Sequence, residues 1–214
     1  MNCCSAENPA GKFFDKESKK FAKKYRKKGL EKITKMMLEG IEELGLDGKT
    51  ILEVGGGVGG AHRKLLHDGA SKAYATELSQ EMLNAAAEFA KEENIEDKVE
   101  YILGDIVEMN GEVPNVDITM HDKVVCCYEF SDALIERTLQ KTKNIYAFIM
   151  PRDKFRVKIG FFFFNVGSKL FNWDFSPFIH PVQPILDKIE SAGFRLRFEN
   201  TTFIWKARVY EKTA

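Results

Sequence analysis

The chain has 214 residues, of which 44% are hydrophobic and 30% are charged, a composition that suits one globular domain with a substantial core. Its 32 basic and 32 acidic residues cancel, so the overall charge does not indicate a nucleic-acid partner. No apolar run approaches the ~20 residues that span a bilayer. The first residues lack the apolar core of a signal peptide, and we therefore expect a cytoplasmic protein.

The first 45 residues are predicted to be helical. Residues 15–28 fit a basic amphipathic helix that Gly29 is suited to end. One face of this helix gathers Phe14, Ser18, Phe21 and Tyr25. Segment 12–28 carries nine Lys or Arg residues against two acids, which is typical of a solvated helix face or of weak binding to an anionic membrane. A second helix is predicted over residues 30–44.

Strands and helices then alternate through the middle of the chain. The strands are predicted over residues 49–54, 72–77, 98–105, 116–121 and 144–150. The helices are predicted over residues 59–68, 79–95 and 131–142. Ser79 and Ser131 are expected to cap two of these helices. The alternation indicates a parallel sheet with helices on both of its faces.

The end of the chain departs from this alternation. A helix over residues 181–192 precedes two strands, 194–201 and 202–211, with almost nothing between them. So short a link allows only a hairpin, and the last strand must therefore run antiparallel.

Segment 151–180 is rich in aromatic residues, with eight phenylalanines and Trp173. Several of its apolar residues recur at approximately helical spacing: Phe155, Ile159, Phe162, Phe163, Val166 and Leu170. The segment is predicted either to pack in the core or to cover a flat or hydrophobic substrate.

Five glycines fall within residues 55–60, between a predicted strand and a predicted helix. A glycine-rich turn at this point lets a ligand approach the backbone and aims the N–H groups of the helix at it. The spacing is Glu53-x-Gly55-x-Gly57-x-Gly59, with Gly56 inside it. An acid within the motif suits a ligand with an ammonium group better than one with a pyrophosphate. The alternative is a tight turn that binds no ligand.

Two further acids end the next two predicted strands. A carboxylate at Glu77 can accept hydrogen bonds from both ribose hydroxyls, as in dinucleotide-binding folds. Asp105 can accept a hydrogen bond from an adenine amino group while Ile106 packs on the ring. The carboxyl ends of parallel strands share one edge of a sheet, so the three acids predict a nucleoside site at that edge.

Four stretches resemble motifs of the class I S-adenosylmethionine (SAM)-dependent methyltransferases. They are LEVGGGVGG (52–60), ATELS (75–79), LGDI (103–106) and VDITMH (116–121). The resemblance covers about residues 30–210 and extends distantly to the magnesium-protoporphyrin O-methyltransferases. It implies a Rossmann-like α/β fold: a seven-stranded sheet in the order 3-2-1-4-5-7-6, with an antiparallel last strand and helices on both faces.

The resemblance also implies a domain organisation and a cofactor. Residues 1–214 are expected to form one methyltransferase domain with a helical cap over 1–45, a SAM-binding core over 46–214 and an insertion over 151–180. The cofactor is expected to be SAM. Its expected contacts are Glu53, Gly55, Gly56, Gly57, Gly59, Glu77, Leu78, Asp105, Ile106, His121 and Tyr25, the last near the methionine carboxylate.

The resemblance places the reaction beyond the fourth predicted strand. Because the methyl donor is a reactive sulfonium, the enzyme mainly aligns the acceptor and excludes water. A base is needed only when the acceptor carries a proton at neutral pH. His121 is the leading candidate for that base, or else it lines the cofactor or packs. Tyr128 is a candidate for orienting the substrate, and His180 is a second catalytic candidate or a structural residue.

A small-molecule acceptor is implied, with oxygen favoured as the methylated atom and nucleic acid disfavoured. The adjacent pairs Cys3-Cys4 and Cys126-Cys127 leave open the methylation of a thiol or a metalloid, although adjacent side chains on a strand point in opposite directions. No metal cofactor is predicted. A non-catalytic SAM-binding protein is the alternative from another class, with segment 12–28 or 151–175 contacting a membrane or a partner.

Overall fold

Seven strands form a sheet in the computed structural model, which describes residues 9–109, 111–157, 159–160 and 177–213. The strands are β1 (Thr50–Val54), β2 (Lys72–Glu77), β3 (Val99–Leu103), β4 (Val116–Asp122), β5 (Thr142–Pro151), β6 (Phe194–Thr201) and β7 (Trp205–Lys212). Their order in the sheet is β3-β2-β1-β4-β5-β7-β6. The strands β1 to β5 are parallel, whereas β7 runs antiparallel to both β5 and β6. The predicted strand order and the reversed last strand are confirmed.

Helices accompany the strands along the described chain. They are α1 (Pro9–Lys28), α2 (Lys32–Glu42), α3 (Gly60–His67), α4 (Gln80–Glu92), α5 (Ser131–Lys141) and α6 (Val182–Ser191). Short 3₁₀ turns cover Glu96–Lys98 and Val125–Cys127. No helix in the described ranges is both long and apolar enough to cross a membrane.

The two faces of the sheet carry separate hydrophobic clusters. Successive side chains of a strand point to opposite faces, so β5 supplies both clusters. Ile145, Ala147 and Ile149 of β5 pack in the cluster that contains α2 and α3. Tyr146 and Phe148 pack in the cluster that contains α5 and α6. A central strand buried on both faces is expected to be apolar, as the IYAFIM stretch of β5 (residues 145–150) is.

The first helix is longer than predicted, because it begins at Pro9 rather than near residue 15. Proline suits the first position of a helix, where its missing N–H is not required. Gly29 ends the helix as predicted, with a φ of +63° and its N–H donated to the Tyr25 carbonyl at 2.7 Å. The guanidinium of Arg26 donates two hydrogen bonds, of 2.5 and 2.7 Å, to Glu92 of α4. Helix α1 is therefore fixed along α4.

The two predicted N-caps have different outcomes. Ser79 caps α4, because its Oγ accepts a hydrogen bond from the Met82 N–H at 3.0 Å. The prediction for Ser131 is wrong. Ser131 is the first residue of α5, the capping position belongs to Phe130, and no side chain caps this helix.

Much of the aromatic segment 151–180 lies outside the described residues, including Trp173 and four members of the predicted stripe, Phe162, Phe163, Val166 and Leu170. The members that are described, Phe155 and Ile159, are 78% and 39% exposed. These two side chains therefore do not pack in the core.

Candidate active site

A cavity of about 600 Å³ lies at the carboxyl ends of the central parallel strands. The glycine-rich loop after β1 forms part of its wall, together with the ends of β2 and β4 and the segment after β3. Helix α1 and the start of α2 contribute the remaining side. This position, outside the carboxyl edge of a parallel sheet, is the usual ligand site of open α/β folds.

The glycine-rich loop needs glycine for two distinct reasons. Gly57 has a φ of +53°, in the left-handed region that other residues rarely adopt, and its N–H donates to Glu77 Oε2 at 2.9 Å. Gly60 instead needs to be small, because a Cβ there would lie 2.5 Å from Cε2 of Tyr25. The loop therefore forms a hydrogen bond with the end of β2 on one side and packs closely against α1 on the other.

Glu53 is the residue before the last of β1, lines the cavity and is only 2% exposed. Its Oε2 atom accepts a hydrogen bond from Nδ1 of His62 at 2.5 Å and another from the His62 backbone N–H at 3.3 Å. His62 is the third residue of α3 and is itself completely buried. The acid predicted to meet an ammonium group is therefore already oriented by a neighbouring imidazole.

Glu77 ends β2 and accepts three backbone hydrogen bonds. Oε1 accepts from the N–H groups of Leu78 at 2.8 Å and Ser79 at 3.3 Å, while Oε2 accepts from Gly57. Burial raises the pKa of the Glu77 carboxyl, these bonds oppose the rise, and the nearby charge of Glu53 adds to it.

Two buried carboxyl groups thus face one cavity. Across the described ranges of the chain, no lysine or arginine lies within ion-pair distance of Glu53 or Glu77. Buried charges are ordinarily paired, so this wall favours a ligand that brings positive charge with it.

Asp105 lies directly after β3, at the far side of the cavity, and is 5% exposed. Its Oδ1 accepts the N–H of Val107 at 2.8 Å, and its Oδ2 accepts the hydroxyl of Tyr128 at 2.6 Å. Ile106 is buried beside it and also lines the cavity. The arrangement offers a flat apolar contact next to a carboxylate, as the sequence predicts for an adenine site.

Helix α1 covers the cavity through an aromatic contact. The Tyr25 ring, which lines the cavity, meets the Phe89 ring edge-on at 5.1 Å. The buried guanidinium of Arg63 lies 5.0 Å from the Tyr25 ring and 4.8 Å from the Phe89 ring. Arg63 also donates to the Val58 carbonyl at 2.7 Å, which links this cover to the glycine loop. Cation–π contacts strengthen when they are desolvated, as this one is.

The opposite end of the cavity contains a network of charged side chains. Glu31 lies 2.5 Å from Lys24 and 3.2 Å from Lys123. Asp122 lies 2.9 Å from Lys123 and accepts the hydroxyl of Thr34 at 2.6 Å. Burial alone would lower the pKa of Lys123, but the carboxylates of Asp122 and Glu31 outweigh it and raise that pKa.

Lys123 adopts a φ of +64°, an unusual conformation for a residue other than glycine. Such strain is concentrated at functional sites, and Lys123 directly follows β4, where the resemblance places the reaction. Its ammonium lies 5.9 Å from the Trp205 ring. Further apolar rings that line the cavity come from α1: Phe13, Phe14 and Phe21.

His121 does not reach the cavity. Its side chain is 0% exposed, its Nε2 shares a 3.0 Å hydrogen bond with the Tyr146 hydroxyl, and its ring packs against Tyr146. Burial lowers the pKa of His121 to about 3, so the imidazole is neutral at physiological pH. Of the three alternatives left open for His121, a base, a cofactor contact or a packed residue, this geometry favours the packed residue, because β4 turns the side chain into the cluster shared with α5.

The other two catalytic candidates, Tyr128 and His180, are linked to each other by a hydrogen bond and do not belong to the charged network around Lys123. The Tyr128 hydroxyl is committed to Asp105, which places it at the proposed adenine side. His180 donates from Nε2 to the Tyr128 carbonyl at 2.8 Å and lines a separate cavity of about 30 Å³. The contacts indicate that Tyr128 positions Asp105 and that His180 supports the Tyr128 backbone.

The second cysteine pair lies on a 3₁₀ turn rather than on a strand. As a result, the Sγ atoms of Cys126 and Cys127 lie 4.0 Å apart, and each approaches the Lys123 carbonyl. Cys127 lines the main cavity, and Cys126 is buried. In the described ranges, no group of three or more His, Cys, Asp or Glu side chains is placed to hold a metal ion. Cys3 and Cys4 lie outside those ranges.

Sequence reasoning missed several residues of the site. His62 and Arg63 follow the glycine loop directly, but only the fold shows that α3 turns their side chains toward Glu53 and Tyr25. Trp205 and Thr34 come from distant parts of the chain. The one available signal was the position of Lys123, two residues after the end of the predicted strand 116–121.

Comparison with known proteins agrees with this geometry. Residues 51–147 match a family model described as a methyltransferase domain. No curated protein sequence matches the chain.

Solved structures extend the likeness to most of the chain. Magnesium protoporphyrin IX methyltransferase from Synechocystis PCC 6803, with bound S-adenosylhomocysteine (SAH), has a TM-score of 0.71 at 16% identity; the match covers 95% of this chain and 98% of that one. A SAM-dependent methyltransferase from Aquifex aeolicus has a TM-score of 0.61 at 18% identity, covering 93% and 98%. Geranyl diphosphate C-methyltransferase from Streptomyces coelicolor has a TM-score of 0.66 at 12% identity, covering 84% and 78%.

These solved structures share the overall fold of this chain. Their low identities establish a common fold, while the matched segment contains the glycine loop, Glu77 and Asp105. Residues 51–147 thus match the model of a methyltransferase domain, and the sheet of the described chain has the fold of solved SAM-dependent methyltransferases.

Proposed function

We propose that the protein transfers the methyl group of SAM to an oxygen atom of a small acceptor that binds at the Lys123 end of the cavity. The observation that carries the proposal is the convergence of three buried carboxylates on one cavity beside a glycine-rich loop. These carboxylates are Glu53, Glu77 and Asp105.

Each part of SAM has a matching group among these three carboxylates. SAM carries an ammonium and a sulfonium, and the Glu53–Glu77 wall has an excess of negative charge. In the proposed arrangement Glu53 meets the ammonium, Glu77 accepts the ribose hydroxyls, and Asp105 with Ile106 holds the adenine. An ionised carboxylate has about four acceptor sites, so Glu77 can keep its three backbone bonds and still accept from ribose. Tyr25 closes over the methionine end from α1.

The acceptor would occupy the part of the cavity between Lys123, Trp205 and the phenylalanines of α1. When bound, SAM supplies a methyl group already activated by its sulfonium. The aromatic wall holds a flat or apolar acceptor and excludes water, and the charged network orients its polar end. A carboxylate acceptor needs no base. A hydroxyl acceptor gives up a proton, for which the Asp122 carboxylate lies at this end.

The cysteine pair favours a second candidate, the methylation of a thiol or a metalloid. Two thiols 4.0 Å apart are placed to hold one soft trivalent atom, and Cys127 opens onto the cavity. The hydrogen bond with Cys127, and after it burial, raises the pKa of Cys126, which opposes ligation by the thiolate at neutral pH. For this reason oxygen remains the leading acceptor.

Calorimetry with SAH tests the cofactor site, and transfer of a labelled methyl group from SAM to a panel of small acceptors tests the reaction. Glu77→Ala and Asp105→Ala should each weaken SAH binding at least tenfold. Glu100→Ala removes an exposed carboxylate of β3 that pairs with Lys72, and it should leave binding unchanged. Unaltered SAH affinity in both cavity variants would refute the assignment.

The acceptor panel separates the candidates. Carboxylic acids and hydroxyl compounds test the leading one, and thiols and trivalent metalloids test the second. Tight SAH binding without turnover on any acceptor would instead favour a non-catalytic SAM-binding protein.

A further inference from the structure

We infer that His62 is a positioning residue that fixes the Glu53 carboxylate so that one oxygen faces the ammonium of the ligand. The inference rests on the proposed function. It assigns a role in cofactor binding to His62, a residue that does not itself line the cavity. It is carried by the geometry of the two side chains.

Both hydrogen bonds from His62 converge on one oxygen. The imidazole Nδ1 lies 2.5 Å from Glu53 Oε2, and the backbone N–H of His62 donates to the same atom at 3.3 Å. That N–H is one of the first in α3, where helical N–H groups have no partner within the helix. Oε2 is therefore held from two directions, and the carboxylate cannot rotate without breaking both bonds.

The surroundings of His62 fix its tautomer. Its Nε2 is buried and has no hydrogen-bond partner in the described part of the chain, and the Tyr101 ring lies 5.9 Å from the imidazole ring. A doubly protonated imidazole would leave a buried N–H donor unpaired at Nε2, which is costly. The neutral form with its proton on Nδ1 avoids this cost and donates that proton to Glu53.

The remaining oxygen of Glu53 is the one left for a ligand. No residue of the described ranges donates a hydrogen bond to Oε1, whereas the side chain lines the cavity. A pre-oriented acceptor loses less conformational freedom on binding than a mobile one. His62 therefore acts on the amino-acid tail of SAM and not on its adenosine.

Two ligands separate this role from general support of the fold. SAH contains the amino-acid tail, and 5′-methylthioadenosine has the same adenosine and thioether without it. His62→Leu removes the Nδ1 donor, and we expect it to weaken SAH binding about tenfold while methylthioadenosine binding changes less than threefold. His62→Asn restores a donor amide at the same point and should recover most of the SAH affinity.

A double-mutant cycle tests whether His62 acts through Glu53. In a Glu53→Gln background, His62→Leu should cost no further SAH affinity. Equal losses for both ligands in His62→Leu and in His62→Asn would overturn the inference, because they would show a structural role only. Unchanged SAH binding in His62→Leu would overturn it as well. Failure of the proposed function is distinguishable, because the wild-type protein would then bind neither ligand.

Discussion

Asp15 of α1 and Ser79, the residue that caps α4, are joined by a hydrogen bond of 2.6 Å from Ser79 Oγ to Asp15 Oδ1. The same Asp15 oxygen accepts the backbone N–H of Glu81 at 3.1 Å. Ser79 in turn donates its own N–H to Glu77, the carboxylate proposed to bind ribose. Helix α1 is therefore connected to the proposed cofactor site by two consecutive contacts, from Asp15 to Ser79 and from Ser79 to Glu77.

This connection predicts that Asp15→Ala weakens both the fold and cofactor binding. Loss of a capping acceptor costs about 1 kcal/mol, so the free energy of unfolding should fall by that amount. SAH should also dissociate faster, because α1 covers the cavity. Denaturant unfolding and stopped-flow dissociation measure the two effects. The matched control is Glu17→Ala, which removes another acid of α1, one paired with Lys20 at the surface. Indistinguishable behaviour of the two variants would contradict the prediction.

Tyr128→Phe should weaken SAH binding about fivefold, because it removes a hydrogen bond to a buried carboxylate. Asp105 would lose the donor that orients Oδ2, while its bond from Val107 remains. Calorimetry gives the affinity, and turnover at saturating SAM should be little changed.

Tyr101→Phe is the control for Tyr128, since its hydroxyl donates to the Ala86 carbonyl outside the cavity wall. A large fall in turnover with normal SAH affinity would place Tyr128 at the acceptor instead.

SAH affinity should fall as the pH is lowered toward the carboxyl range, and it should begin to fall above the ordinary glutamate value of 4.5. Burial is the largest cause of the raised pKa of Glu77, so this carboxylate takes up a proton at a higher pH than an exposed one. A protonated carboxyl is a poorer acceptor for ribose hydroxyls. Calorimetry over a pH series measures the effect, and Glu77→Gln should flatten the profile. An equally steep profile in that variant would contradict the assignment.

The stability of the fold should fall as the pH drops below 6.5 because of His121. Its pKa is about 3 in the folded protein and 6.5 when exposed, so the unfolded chain binds the additional proton between these values. The free energy of unfolding therefore rises with pH across that window. His121→Asn should reduce this dependence, and His67→Gln, a substitution at the surface, should not.

His121→Asn also tests whether His121 has a chemical role. If the side chain is structural, turnover in His121→Asn should decrease only as far as the folded fraction does. A hundredfold loss of turnover in a fully folded His121→Asn protein would restore the imidazole as a base.

The fold could be predicted from the sequence because its signals are local. The apolar runs of β1 and β5, the glycines at 55–60 and the short link before β7 each restrict the backbone on their own. The acids Glu77 and Asp105 were identifiable because they end strands, and strand ends of a parallel sheet converge.

The side-chain contacts were not predictable in the same way. Whether His121 faces the cavity depends on which face of β4 it occupies, and a bulge between Val116 and Ile118 changes that register. The contacts of His62 with Glu53 and of Asp15 with Ser79 depend on how α3 and α1 pack, which no short pattern encodes. The start of α1 at Pro9 similarly reflects its packing along α4.

A crystal structure of the protein with SAH tests the central claim most directly. The claim predicts adenine at Asp105 and Ile106, ribose hydroxyls on Glu77, and the ammonium on Glu53 Oε1. A cavity that stays empty at saturating SAH, or a nucleoside bound without contact to these carboxylates, would contradict it.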